Sequence, residues 1–381
     1  MTFLLFTCGC GIYLALLGGK AVLALIYAAR DPLPQDLSLP HRTLTVAQAI
    51  LSGDAALKDM LESNLKSLSG QRFLWLCDEA DAEGLRIARE LIAAYPEEEI
   101  ILEICPPCPP HRNPKLFKLI HSTPRMDTPL VLVLDDDTHL PRASAAVLAR
   151  HAATHGIATG LPSYRNGRGL PSLLLAQFVN NNSVTTYLSL LPLLPPISIN
   201  GMCYVIKAEH AGIFAGIGHH LTDDLALAMA IKQSGGSIYQ SSHPQVIATE
   251  VADSAHYMKM MHRWYLFALL LLKRQPPGYQ ALICLLHGWH SILLWGLLII
   301  ALAAPSTSLL AVALCFLGLR SAILIGLQHK FFHRVPHRFS ASLLSELLQP
   351  LHLLHAVMVR RIDWRGRKYR VFESDRFESD E

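Results

Sequence analysis

The chain has 381 residues, 51% of them hydrophobic and 17% charged, with a formal net charge of +3 and a mean hydropathy of +0.30. Such a composition is too apolar for an ordinary soluble protein and too weakly basic for one that grips nucleic acid through charge. There are eight cysteines, but no second CxxC or CxxH completes a four-ligand zinc site, so "CPPC" (Cys105 to Cys108) reads as a structural or incidental loop.

Residues 3–29 are almost uncharged, interrupted by Lys20, and long enough to span a bilayer. They lack the basic start and small-residue cleavage pattern of a secretory signal, so residues 1–30 read as an uncleaved anchor. Residues 31–263 have the composition of an α/β domain. "FLWLC" (73–77) is a predicted strand ending on Asp78, and 82–95 is a helix with Leu85, Ala88, Leu91 and Ile92 on one face. Another strand follows at 99–104. A helix over 113–122 has Asn113 as N-cap and Pro114 in its first turn. "VLVL" (131–134) reads as a buried strand that stops on Asp135, Asp136 and Asp137. Strand alternation points Asp135 and Asp137 one way and Asp136 the other, and two carboxylates on one side repel unless a cation or proton lies between them. Alternating strands and helices imply a mostly parallel sheet that binds its ligand at the carboxyl ends of its strands, where Asp78 and Asp135–Asp137 fall.

The chain turns apolar again after Arg263. "WYLFALLLL" (264–272) is too short to span and ends in "KRQPP", which places it in the membrane interface. Spans are expected near 279–304 and 309–327. The run 343–361 carries Glu346 and Pro350, which favours a shallow or re-entrant helix. Residues 264–361 thus form an interfacial and transmembrane segment, and 362–381 a basic then acidic tail whose "FESDRFESDE" end should fray. Lys330, Arg334 and Arg338 in one loop, and Arg360, Arg361, Arg365, Arg367, Lys368 and Arg370 in the tail, contrast with the uncharged "PSTS" loop (305–308). The positive-inside rule puts the basic loop, the tail and the central domain in the cytoplasm. The expectation is a multi-pass protein of a bacterial inner membrane.

"CDEADAEG", "NPKLFKL", "LVLDDDTHLP", "INGMCYVIKAE", "LTDDLALAMAIKQSGG", "HRWYLF" and "IDWRGRKYRV" occur in this order. Together they resemble the membrane-bound family 2/21-type glycosyltransferases, in particular the ceramide glucosyltransferase branch, over 44–371. The resemblance implies a GT-A nucleotide-sugar-binding domain, with a mostly parallel sheet, set between membrane helices at both ends. It implies inverting transfer of a hexose, glucose as first choice, from a UDP-linked donor to a ceramide-like or hopanoid-like lipid hydroxyl, and so a part in glycolipid biosynthesis. By the same resemblance Asp78 holds the uracil end of the donor, and Asn113 and Lys115 belong to the segment facing its phosphates. Asp135 and Asp137 form the DxD that holds ribose and a divalent cation, Mg²⁺ or Mn²⁺. Asp224 is the general base, while Arg263 and Trp264 border the leaving diphosphate. The implied partners are the nucleotide-sugar donor, a lipid acceptor and the bilayer, with no nucleic acid. The chain departs from the family in having Met260 at the first position of the (Q/R)xxRW motif, and "TVAQAILSGD" where a Lys-Pro usually follows the first strand.

Two other readings are open. One is a catalytically impaired GT-A scaffold, which Met260 favours and the intact Asp78, Asp135, Asp137 and Asp224 oppose. The other is a histidine-rich di-iron lipid hydroxylase. His329, His333 and His337 recur every four residues, but no HxxHH box is present and Pro336 interrupts the helical spacing.

Overall fold

A computed structural model describes residues 1–110, 112–364, 367–371 and 377–380. The chain opens with α1 (Thr2–Ala28). Then β1 (Leu44–Ile50), α2 (Leu57–Ser67), β2 (Arg72–Asp78), α3 (Ala82–Ala94), β3 (Ile100–Cys105), α4 (Pro114–Ser122) and β4 (Leu130–Leu134) alternate. Next come β5 (Thr138–His139), α5 (Arg142–His155), β6 (Gly156–Tyr164), α6 (Gly169–Tyr187) and β7 (Cys203–Lys207). The short α7 (Ile213–Ile217), α8 (Asp223–Gln233) and β8 (Ser237–Ile247) follow. After these the chain is helical: α9 (Ser254–Lys273), α10 (Pro277–Ile283), a π-helical turn (Cys284–Gly288), α11 (His290–Ala303) and α12 (Thr307–Phe332). The last helices are α13 (Phe339–Leu347) and α14 (Gln349–Met358), before strands β9 (Arg361–Trp364), β10 (Arg367–Val371) and β11 (Phe377–Asp380).

These elements form two compact units. The α/β unit comprises Asp31–Gly167, Pro195–Glu250 and Arg361–Glu381, and the helical unit comprises Met1–Arg30, Arg168–Leu194 and Val251–Arg360. The units are therefore not contiguous in sequence. Helix α6, inside the 31–263 stretch read as one domain, belongs to the helical unit, and the tail belongs to the α/β unit.

The α/β unit carries an eight-stranded sheet of order β3-β2-β1-β4-β7-β6-β8-β5. β3, β2, β1 and β4 are mutually parallel, β7 is reversed, and β6 and β8 are again parallel to each other. Period-two alternation explains why helices cover both faces. Val46, Phe73, Trp75, Leu132 and Leu134 pack on α2, α3 and α5, whereas Ala47, Leu74, Leu76, Val131 and Val133 pack on α4, α7 and α8. Strand order reverses between β1 and β4, and such a switch point opens a crevice at the strands' carboxyl ends. Asp31, directly after α1, accepts hydrogen bonds from Tyr239 Oη (2.5 Å), Ser242 N (2.7 Å) and Ser242 Oγ (2.8 Å), which ties the start of the unit to β8. The tail does not simply fray: Phe377–Asp380 pairs with β10. Arg365 and residues 372–376 lie outside the described residues.

In the helical unit three helices are long and apolar enough to cross a membrane: Thr2–Ala28, Pro277–Ala303 and Thr307–Phe332. They match the expected spans. Phe6, Tyr13, Leu17, Leu294, Leu297, Phe316 and Leu324 form their common core. α1 approaches α11 closely at Gly9, where a Cβ would lie 2.9 Å from Leu297 Cδ2. Helix is interrupted at Leu348, between α13 and α14, so the run with Glu346 and Pro350 is two short helices. Glu346 is not a lone charge. Its Oε2 accepts from Arg320 Nη2 at 2.6 Å and Nε at 2.9 Å, and its Oε1 accepts from Tyr13 Oη at 2.6 Å. Arg320 is 1% exposed and Glu346 7%. The arginine lies inside the third apolar run and had drawn no attention in the sequence. Removing one partner of such a pair leaves a buried uncompensated charge, a loss of about 3–5 kcal/mol, while replacing both by apolar residues is close to neutral. Arg320→Met alone should therefore lower the melting temperature in detergent sharply, and Arg320→Met with Glu346→Leu should recover most of it.

Candidate active site

The site in the α/β unit is organised by α4. Asn113 caps this helix: its Oδ1 accepts from Lys115 N (3.0 Å) and Leu116 N (3.2 Å), and its Nδ2 donates to the carbonyls of His220 and Leu221. The residue is fully buried. Its amide is committed to protein at both ends, so Asn113 positions Lys115 and is not aimed at a ligand. Lys115 and Lys118, three residues apart, share a helix face. Lys118 Nζ lies 2.9 Å from Asp78 Oδ2 and donates to the Ile50 carbonyl at 2.9 Å. Lys115 Nζ lies 2.6 Å from Asp135 Oδ1, donates to the Gly201 carbonyl at 2.6 Å, and stands 3.6 Å from Asp223 Oδ2. One helix thus ties the ends of β2 and β4 to a single crevice.

The three consecutive aspartates have three environments. Asp135 faces Lys115 on the α4 side, the side of Val131 and Val133. Asp136 turns the other way and accepts from Leu51 N at 2.7 Å, tying the end of β4 to the end of β1. Asp137 accepts from Thr249 Oγ1 at 2.5 Å and from Thr138 Oγ1 at 3.1 Å. Burial, and then the charge of Asp135, push the Asp137 carboxyl above its ordinary range. The strand ends at Leu134, so the alternation holds for Asp135 and Asp136 while a turn places Asp137.

Asp223 and Asp224 occupy the first turn of α8, where the helix dipole favours negative charge. Burial, and then the adjacent Asp223, push the Asp224 carboxyl up to about 7. Leu225 N donates to its Oδ1 at 2.7 Å. The "INGM" turn runs against this helix so closely that a Cβ on Gly201 would sit 3.2 Å from Asp224 Cβ. Tyr204, on β7, is 1% exposed and its hydroxyl has no hydrogen-bond partner among the described residues. Its phenol is raised by burial and by Asp223, Asp135 and Asp224 together, which marks it as a neighbour of all three carboxylates.

A cavity of about 240 Å³ opens beside Asp78, lined also by Leu51, Glu79, Ala80, Pro107, Cys108 and Pro114. Pro107 and Cys108 of the "CPPC" loop form part of this wall. Cys105 is buried, and burial pushes its thiol up to about 11. The crevice gathers Asp78, Lys115, Asp135, Asp137 and Asp224 from the sequence-predicted set. Lys118, Tyr204, Gly201 and Thr249 were missed. Lys118 had a signal, as the second lysine of "NPKLFKL"; the others are recognisable only through tertiary contacts. Arg263 and Trp264 lie on α9 in the helical unit, where the Trp264 ring is 6.3 Å from Phe178. On that helix Met260 is buried and Lys259 exposed, so the lysine does not replace it at the same helix face.

Among the described residues no group of three or more His, Cys, Asp or Glu side chains could hold a metal ion by itself. Asp135 and Asp137 still fit a divalent cation of the kind that takes one or two carboxylates and fills its sphere with phosphate oxygens and water. They are neighbouring, mutually repelling carboxylates, and one of them already attracts an ammonium group.

The family model of glycosyl transferase family 21 matches residues 13–377. The chain belongs to glycosyltransferase family 21. Its activity is therefore glycosyl transfer, its α/β unit is a GT-A domain, and the di-iron hydroxylase reading is overturned. No curated protein matches the chain. Among solved structures, the mannosyltransferase PcManGT from Pyrobaculum calidifontis, in complex with GDP-Man and Mn²⁺, is similar with a TM-score of 0.49 at 15% identity, covering 91% of this chain and 99% of that one. Glucosyl-3-phosphoglycerate synthase from Mycobacterium tuberculosis, in complex with Mn²⁺, UDP and phosphoglyceric acid, is similar with a TM-score of 0.34 at 15% identity, covering 62% and 81%.

Two measurements test this geometry. Folded Asp224 holds its proton up to about 7, whereas the unfolded chain releases it near the ordinary value of 3.8. Ionising it therefore removes stability as pH rises between these values, and the loss is complete above them. In chelator, Asp224→Asn should melt higher than wild type at pH 8, and the difference should vanish near pH 4. Asp136→Ala strips a partner from Leu51 N and should cost about 1–3 kcal/mol of stability, with nucleotide affinity changing less than in Asp137→Ala.

Proposed function

We propose that this family 21 enzyme is an inverting transferase that moves a hexose, glucose as first choice, from a UDP-sugar to the hydroxyl of a ceramide-like or hopanoid-like membrane lipid. The observation that carries the reading is the carboxylate cluster of Asp135, Asp137, Asp223 and Asp224 around Lys115, next to the cavity at Asp78. Leu51 and the prolines of that cavity would face the donor's base, and Asp78 would accept an N–H from its edge. Lys118 holds the Asp78 carboxylate in orientation. Asp135 and Asp137 would hold a divalent cation, Mg²⁺ or Mn²⁺. When bound, it neutralises diphosphate charge and so improves the leaving group. Lys115 contributes a further positive charge for the phosphates.

In the transfer step the lipid hydroxyl oxygen forms a bond to the anomeric carbon, and the bond from that carbon to the β-phosphate oxygen breaks on the opposite face. The departing electron pair stays on UDP. Asp224 accepts the hydroxyl proton, and a carboxylate with its affinity raised to about 7 is well matched to this task. The three long apolar helices and the basic residues near their ends support a multi-pass protein of a bacterial inner membrane with the α/β unit in the cytoplasm.

Lipids extracted from cells expressing the wild type should contain a new hexosyl lipid by mass spectrometry. Asp224→Asn should lower single-turnover transfer by about 10²–10⁴-fold with UDP-sugar affinity nearly unchanged. Wild-type protein that binds UDP-sugar yet yields no hexosyl lipid would replace this reading by the impaired scaffold. Full activity of Asp224→Asn would place the base elsewhere.

A further inference from the structure

Lys115 occupies the carboxylate that a cation would need. Its Nζ lies 2.6 Å from Asp135 Oδ1 and 2.6 Å from the Gly201 carbonyl, and the residue is only 7% exposed. An ammonium group and a divalent ion on the same carboxylate bring two positive charges together in a poorly solvated crevice, where their repulsion makes them competitors. A second acceptor stands close by. Asp223 Oδ2 is 3.6 Å from the same Nζ, is buried, and has no hydrogen-bond partner among the described residues. Asp137, by contrast, is held by two threonine hydroxyls that can remain in place.

Building on the donor-site reading above, we propose that Lys115 is an internal stand-in cation, which competes with the divalent ion for Asp135 and moves toward Asp223 and the donor diphosphate when ion and nucleotide bind together. The movement needed is small. It leaves the Lys115 backbone, fixed by the Asn113 cap, where it is. The stand-in makes ion binding conditional: without a diphosphate the ion must displace an ammonium that exchanges Asp135 for Asp223 while keeping the Gly201 carbonyl, and with one the ammonium gains phosphate oxygens. Ion and nucleotide then bind cooperatively, and by linkage each tightens the other by the same factor. Phosphate oxygens on the ion couple the two ligands by themselves, so the mark of the stand-in is the ion affinity gained, and the share of the coupling lost, when the Lys115 charge is removed.

Full-length protein in nanodiscs would be titrated with Mn²⁺ alone and with Mn²⁺ plus saturating UDP, reading the free-ion signal by electron paramagnetic resonance. Wild type should bind Mn²⁺ weakly alone and at least tenfold more tightly with UDP. Lys115→Met and Lys115→Gln should bind Mn²⁺ alone at least tenfold more tightly than wild type and lose most of the UDP effect. Lys115→Arg, which keeps the charge, should resemble wild type, and Asp135→Asn added to Lys115→Met should cancel the gain. Circular dichroism and UDP binding identify a variant that has not folded, and the two neutral variants check each other. Mn²⁺ affinity without UDP that is equal to or weaker than wild type in folded Lys115→Met and Lys115→Gln overturns the proposal. If wild type binds UDP but no Mn²⁺ in either arm, the cation reading fails and the stand-in with it. Wild type that binds Mn²⁺ equally well with and without UDP leaves the cation reading intact and overturns the stand-in alone.

Discussion

The crevice depends on a balance of charge at the carboxyl ends of β2 and β4. Asp78, Asp135, Asp137, Asp223 and Asp224 converge there, opposed by Lys115 and Lys118 from one turn of α4. Five carboxylates and two ammonium groups leave the region short of positive charge, and burial first, then the neighbouring carboxylates, raise the proton affinities of Asp137 and Asp224. A fold selected for stability alone would not collect acids in this way. The same deficit suits a site that receives a cation together with a polyanion.

The surrounding structure keeps this arrangement from relaxing. Asn113 fixes the register of α4, Asp136 ties β4 to β1 through Leu51, and Gly201 lets its turn approach α8 to within contact of Asp224. Each of these residues acts through backbone and leaves the chemistry to its neighbours. The two apolar layers on either face of the sheet fix the backbone that carries these carboxylates, so a change at the crevice falls on side chains.

Much of this was legible in the sequence, and the reasons are specific. Continuous apolar runs marked β2 and β4, the Asn113–Pro114 pair marked the start of α4, and a run of aspartates beyond a buried strand marked the site. The residues that escaped notice did so for physical reasons. Arg320 is a single charge inside a long apolar run, and its partner Glu346 lies 26 residues further on. Tyr204 looks like an ordinary β-strand aromatic until β4 and α8 surround it with acids. Gln and Arg are absent at position 260, yet the helix buries Met260 without difficulty. Helix α6 looked like part of the α/β domain because its buried Asn180, Asn181 and Gln177 make it polar for a membrane-side helix. Two of those amides are matched within the helical unit, with Gln177 Nε2 donating to the Pro336 carbonyl and Asn181 Nδ2 donating to Ser342 Oγ.

The Arg320–Glu346 pair also bears on how the protein is made. A guanidinium at the centre of a helix costs about 2.5–3.5 kcal/mol on insertion scales. As α12 emerges from the ribosome, Glu346, 26 residues further on, is still enclosed in it, and Tyr13 on α1 offers one hydroxyl in its place. The Arg320 charge in α12 is therefore incompletely compensated at that moment, and it gains its carboxylate only once α13 folds back. A chain that stopped between residues 332 and 346 would carry the Arg320 guanidinium without its carboxylate partner.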